Sequence, residues 1–310
     1  TMAAAQTGGM VNLLGGYDEL RLADGRNILS AYNIDSLAGG TGLDSVTVGG
    51  QVGDQLYVSG VETLTGTSAN EIVILATPAT VSVSGIATMA GSESADWVTL
   101  TAPETGIMLD LAGGDDRLVL ADGGNSLSAF NVESILGGAG ADQVTANDLG
   151  CGCDDGLVVA NIETLLNALD DIGTVAFSGA ATTTVSGFDI LVGSSAPERI
   201  TLGFGTGVLA ANIDTIVGDP DDPSDLALAT PGTVTVSGIT FLLGSPGTDL
   251  VTVSGASTMV VAEIDTLVGS TAADFVELDY EQTITTAGID TILGYYEQSR
   301  VTLSDGGRVA

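Results

Sequence analysis

The chain has 310 residues, with forty acidic side chains against six arginines, no lysine and no histidine, and a formal net charge of −34. That sign disfavours nucleic acid, membrane insertion at an anionic surface and polyanionic polysaccharide substrates, all of which need basic patches; without His or Lys there is no Ser–His pair, no lysine base and no histidine metal site. Forty-four glycines beside one Trp, six Tyr and six Phe describe many tight corners around a narrow interior.

The start, Thr1-Met2-Ala3-Ala4-Ala5-Gln6, lacks a charged n-region and a long apolar segment. It reads as a mature fragment or as a chain exported by another route. From Val11 onward one pattern returns. Its copies include Ile34-Asp35-Ser36-Leu37, Val61-Glu62-Thr63-Leu64, Val132-Glu133-Ser134-Ile135, Ile162-Glu163-Thr164-Leu165, Ile213-Asp214-Thr215-Ile216, Ile264-Asp265-Thr266-Leu267 and Ile289-Asp290-Thr291-Ile292. Units begin at residues 11, 34, 61, 86, 108, 132, 162, 188, 213, 239, 264 and 289, about 25 residues apart. A fixed period of this length marks a solenoid, in which each unit buries its apolar face by stacking on its neighbours.

Each unit holds three short runs rich in Val, Ile and Thr and bounded by Gly, Asn or Asp, which read as strands. Examples are the marker run itself, Val46-Thr47-Val48 after a corner, and Val81-Ser82-Val83-Ser84 before the next marker. The expected fold is all-β: one parallel β-helix spanning residues 1–310, three strands per rung and about twelve rungs, roughly 58 Å long at strand spacing. The residue before each marker is Asn33, Gly60, Gly85, Asn131, Asn161, Gly187, Asn212, Gly238 or Gly288, with Glu263 the exception. Gly and Asn tolerate positive φ, so a left-handed bend is expected there.

Two corners, Gly39-Gly40-Thr41-Gly42-Leu43-Asp44 and Gly137-Gly138-Ala139-Gly140-Ala141-Asp142, fit the pattern G-G-x-G-x-D with a β-run following. They resemble the hemolysin-type calcium-binding (RTX) repeat of secreted bacterial proteins. The resemblance implies Ca²⁺ held between stacked turns by glycine carbonyls and aspartates, the oxygen ligands a hard cation prefers. Residues 13–50 and 111–148 align without a gap at 21 identities in 38, and each block holds a partial corner ahead of a complete one. The expected ligand sets are therefore Gly16 and Asp18 with Gly39, Gly40, Gly42 and Asp44, and Gly114, Asp115 and Asp116 with Gly137, Gly138, Gly140 and Asp142. Family repeats recur every nine residues in a narrow two-strand roll, whereas here the signature comes about once per 25 residues. Other corners keep the aspartate and lose glycines, as at Asp96, Asp249 and Asp274, and three replace it with Asn70, Glu198 or Ser299. The same corner also reads as a plain turn whose aspartate caps local amides, so both readings stand.

The acids of the marker runs (Asp35, Glu62, Glu133, Glu163, Asp189, Asp214, Asp265 and Asp290) form a second ladder, read as a solvated face. Cys151 and Cys153 fall in an inserted loop and read as a local or intermolecular disulfide or as two idle thiols rather than a metal site, since two thiolates alone do not complete tetrahedral zinc and there is no histidine to help. Leu165 to Asp171 reads as one helical turn or a bulge, and Pro220 and Pro223 as a surface loop. Carboxylate pairs recur because the repeat makes them, so no catalytic constellation stands out and an enzyme is not expected. The expected function is a secreted, extracellular structural protein: a surface-layer, filament or matrix subunit, self-associating head to tail or laterally and rigidified by calcium. A cell-surface polysaccharide or another surface protein is a further partner. The alternative is a binding module, either an adhesin stalk or an ice-binding β-helix.

Overall fold

The computed structural model describes residues 1–50, 55–67, 71–147, 156–168, 173–203, 207–219, 224–294 and 298–304. Among them are thirty-four strands, and no helix is long and apolar enough to cross a membrane. The chain forms two compact units, Thr1–Thr164 and Leu165–Ala310. Each unit is a parallel β-solenoid in which successive strands alternate between two facing sheets, about sixteen turns in all.

The local rule behind the strands is period two. Asn27–Tyr32 and Thr80–Ser84 alternate buried positions with half-buried or exposed ones, because successive side chains point to opposite faces. In unit 1 the inward positions stack in register as Leu29, Val46, Leu64, Val83 and Leu100 on one sheet. On the other they run Leu56, Val73, Met89, Leu109, Ala129 and Ala146. Unit 2 repeats this with Leu226, Leu242, Val261 and Leu278 on one sheet and Ile200, Ile216, Val236 and Val253 on the other. The interior is a double column of mid-sized aliphatics, which is why so few aromatics suffice; among the described residues the buried aromatics are Phe177 and Phe188, both in unit 2.

The solenoid is as expected, but the winding differs: there are two strands per turn, not three, and so more turns than twelve. One turn takes 17 residues from Asn27 to Asp44 and 20 from Met89 to Leu109. The 25-residue sequence unit does contain three strands, and three strands are one and a half turns. With one exception, markers therefore switch sheets from one to the next: Ser36–Ala38, Thr63–Gly66 and Thr88–Ala90 in unit 1 lie on alternate sheets. The short step to residue 108 is a single full turn, Thr88 stacking on Met108.

The bends follow the sequence. All ten residues before the markers, Glu263 included, have φ between 51° and 77°. Leu165 to Asn167 is ordinary strand, part of Thr164–Asn167, rather than a helical turn. Cys151, Cys153, Asn70, Pro220, Pro223 and residues 169–172 lie outside the described residues.

Candidate functional site

The corners carry the polar chemistry. At seven corners the last residue opens a strand or stands just before one, and is buried: Asp44, Asp96, Asp116 and Asp142 in unit 1, and Glu198, Asp249 and Asp274 in unit 2. A buried carboxylate must be supplied with donors, and the corner supplies one itself. The amide four residues earlier donates to the carboxylate, from Gly40 to Asp44 (2.9 Å), Ser92 to Asp96 (2.7 Å) and Gly138 to Asp142 (3.0 Å). In unit 2 the donors are Ser194, Ser245 and Ser270, to Glu198, Asp249 and Asp274 at 2.8, 2.7 and 2.7 Å. Serine thus substitutes for the second glycine where the motif is degenerate, and its hydroxyl adds a donor. The first glycine has no such latitude: a Cβ on Gly39 would sit 1.6 Å from the carbonyl oxygen of Gly60 in the next turn.

The marker acids complete the arrangement: they lie half-buried or exposed, as a solvated face would have them, and they also bond to the backbone. All eight accept a backbone N–H from the corner of the preceding turn. Asp18, Asp44, Asp116 and Asp142 donate to Asp35, Glu62, Glu133 and Glu163 at 2.6, 2.7, 2.6 and 2.7 Å. In unit 2 Gly173, Glu198, Asp249 and Asp274 donate to Asp189, Asp214, Asp265 and Asp290 at 3.3, 3.1, 3.0 and 3.0 Å. In return, the amides that open the marker strand donate to the corner carbonyl, as from Asp35 and Ser36 to Asp18 and from Glu163 and Thr164 to Asp142. Corner and marker form a reciprocal clasp between consecutive turns, which satisfies the backbone where the ladder bends.

The two expected ligand sets are not assembled as stacked pairs. With about 17 residues to a turn, the corner ending in Asp44 stacks on Ala23-Asp24-Gly25-Arg26-Asn27, and the corner ending in Asp142 on Ala121-Asp122-Gly123-Gly124-Asn125. Gly16 and Asp18 lead instead into Glu19–Arg21 of the opposite sheet, beside Ser36–Ala38. Gly114, Asp115 and Asp116 stack on the corner Gly91 to Asp96.

The residues that sequence reasoning missed are Asp24, Asn27, Asp122 and Asn125. Their signal was present, since Ala-Asp-Gly-x-Asn stands 17 residues before each complete corner's aspartate. Asp24 accepts the Thr41 amide (3.0 Å) and hydroxyl (2.8 Å), and these two bonds lower its pKa. Asp122 accepts the Ala139 amide at 2.9 Å. Asn27 and Asn125 are buried and bond directly to Asp44 and Asp142.

Calcium takes six to eight oxygens. At Asp44 both carboxylate oxygens already accept protein N–H groups, from Asn27 and Gly40, and Asp142 is held alike by Asn125 and Gly138. Among the described residues, no three acids gather in a group that could hold a metal. The residues at these two corners do not fit the ion that the resemblance implies. Asp116 differs from the rest: its Oδ1 accepts the Asp96 amide at 2.6 Å, while its buried Oδ2 has no partner. Burial, reinforced by Glu133, Asp96 and Asp115 against the Asp96 bond, pushes its pKa up to about 6. Set against protein-family models, curated proteins and solved structures, the chain matches none.

Proposed function

We propose that this chain is a non-enzymatic structural solenoid, an extracellular spacer, filament or surface-layer element. One observation carries the reading: the recurring acids are spent on backbone amides of their own or the adjacent turn, and so serve winding rather than chemistry. A carboxylate already saturated by amide donors is a poor general base and a poor nucleophile. Rigidity then belongs to the clasps themselves. Secretion rests on the resemblance and on the acidic, lysine-free composition.

Self-association, head to tail or lateral, is part of the proposal and rests on the repeat. A ladder whose steps are alike accepts a step from another copy as readily as its own next one. Electron microscopy and sedimentation of the purified chain, across protein concentration and at physiological salt, test it. Ordered polymers or sheets are expected, and monomers throughout would remove the assembly half. Ice binding is less well supported. Unit 2 carries two outward threonine columns, Thr215-Thr235-Thr252 and Thr266-Thr285-Thr302. Arg199, Val268 and Leu250 interrupt them, so no thermal hysteresis is expected.

A further inference from the structure

We infer that in the two duplicated corners of unit 1 the side-chain amides of Asn27 and Asn125 do the work of a cation, so that these corners close without metal. The Nδ2 of Asn27 donates to three oxygens: the carbonyl of Ala23 at 2.8 Å, the carbonyl of Gly25 at 3.1 Å and Asp44 Oδ1 at 2.8 Å. The Nδ2 of Asn125 does the same to Ala121 (2.8 Å), Gly123 (3.2 Å) and Asp142 Oδ1 (2.7 Å). Two carbonyl dipoles from one turn and a carboxylate from the next converge on a single positively polarised group. That is the donor chemistry a hard cation would recruit, but at hydrogen-bond distances rather than the shorter metal–oxygen range.

The rest of each amide is occupied too. The Oδ1 of Asn27 accepts the Gln6 amide at 2.9 Å, and that of Asn125 accepts the Glu104 amide at 3.0 Å. Each asparagine therefore joins three successive turns, and neither can turn to admit an ion without abandoning bonds on both sides. Its identity decides the outcome. An aspartate in its place would put two carboxylates and two carbonyls around a position with no positive group, an arrangement that is stable only with a cation bound. The inference stands apart from self-assembly and concerns only how the corners are closed.

The test uses the full ¹⁵N-labelled chain at about 0.15 M salt, where diffuse charge is screened. The side-chain NH₂ signals of Asn27 and Asn125, assigned by their loss in N27D and N125D, are followed from EGTA to millimolar CaCl₂. They are expected to exchange slowly with solvent and to stay in place, with the unfolding midpoint moving by no more than about 2 °C. The N27D/N125D double variant is expected to unfold at least about 4 °C lower in EGTA and to recover with calcium, binding one ion per altered corner. Saturable calcium shifts at the wild-type NH₂ signals would overturn the inference, as would a folded double variant that calcium does not restore. The wild-type titration decides alone should the double variant not fold.

Discussion

At the scale of single residues, Asp116 shows what a corner loses when its own amide turns away. Ala112, four residues earlier, has φ 67° and donates to Asp110 at 3.2 Å, so the donor that serves Asp44, Asp96 and Asp142 is missing. With its pKa raised from 3.8 to about 6, Asp116 holds its proton more tightly folded than unfolded. Its protonated form carries no buried charge. As pH rises from about 4 to beyond 6, the folded state must ionise it in place, at a cost of up to about 3 kcal/mol. Asp116→Asn removes that cost and puts at this corner the residue found at positions 27 and 125. The variant is expected to be more stable than the wild type at pH 7, by about 1–3 kcal/mol, with the advantage gone below pH 4. Denaturant unfolding at both pH values measures it, and a pH-independent difference would show that Asp116 does not titrate in this range. Glu263 offers a simpler case. It is exposed and left-handed at φ 57°, at a position where its counterparts are Gly or Asn. Glu263→Gly is expected to gain about 0.5–1 kcal/mol, the relief of Cβ strain less the added chain entropy.

At the scale of elements, the clasp and the aliphatic column make separable demands. Glu62→Ala leaves the buried Asp44 amide without an acceptor and is expected to cost about 1–2 kcal/mol, while Glu62→Gln keeps an acceptor and should cost less than half of that. Leu109→Ala opens a hole between Met89 and Ala129 and is expected to cost about 2–5 kcal/mol in the same unfolding measurement. The strands and left-handed bends could be read from the sequence because both are local: Val-Thr-Val alternation fixes a strand, and Asn or Gly fixes a bend. The number of strands per turn could not, because it depends on which strand lies beside which. A repeat of three strands fits a three-sided coil once or a two-sided coil one and a half times. Only the 17-residue echo between Ala-Asp-Gly-x-Asn and Gly-Gly-x-Gly-x-Asp distinguishes the two. The same miscount paired Asp18 with Asp44 and Asp116 with Asp142, which the structure places in different stacks.

At the scale of the whole molecule, the net charge of −34 sets the clasps against their own repulsion. Acids repeated turn upon turn, with rungs roughly 5 Å apart, repel one another, and salt screens that repulsion beyond a Debye length of about 8 Å at physiological strength. Each clasp joins only adjacent turns, so the stability of a unit is close to a sum over neighbouring pairs. Charge relief should therefore act on every step and accumulate. The unfolding midpoint is expected to rise steadily from about 0.01 M to about 0.5 M NaCl. Calcium and magnesium chloride at equal ionic strength should give the same rise as each other, because a screening cloud does not distinguish two divalent ions whereas a site built for one of them does. A calcium midpoint well above the magnesium one would place an ion in the corners and return the burden of rigidity to the metal. Coincident curves would leave it with the amides, Asn27 and Asn125 among them, that already fill the positions where an ion would sit.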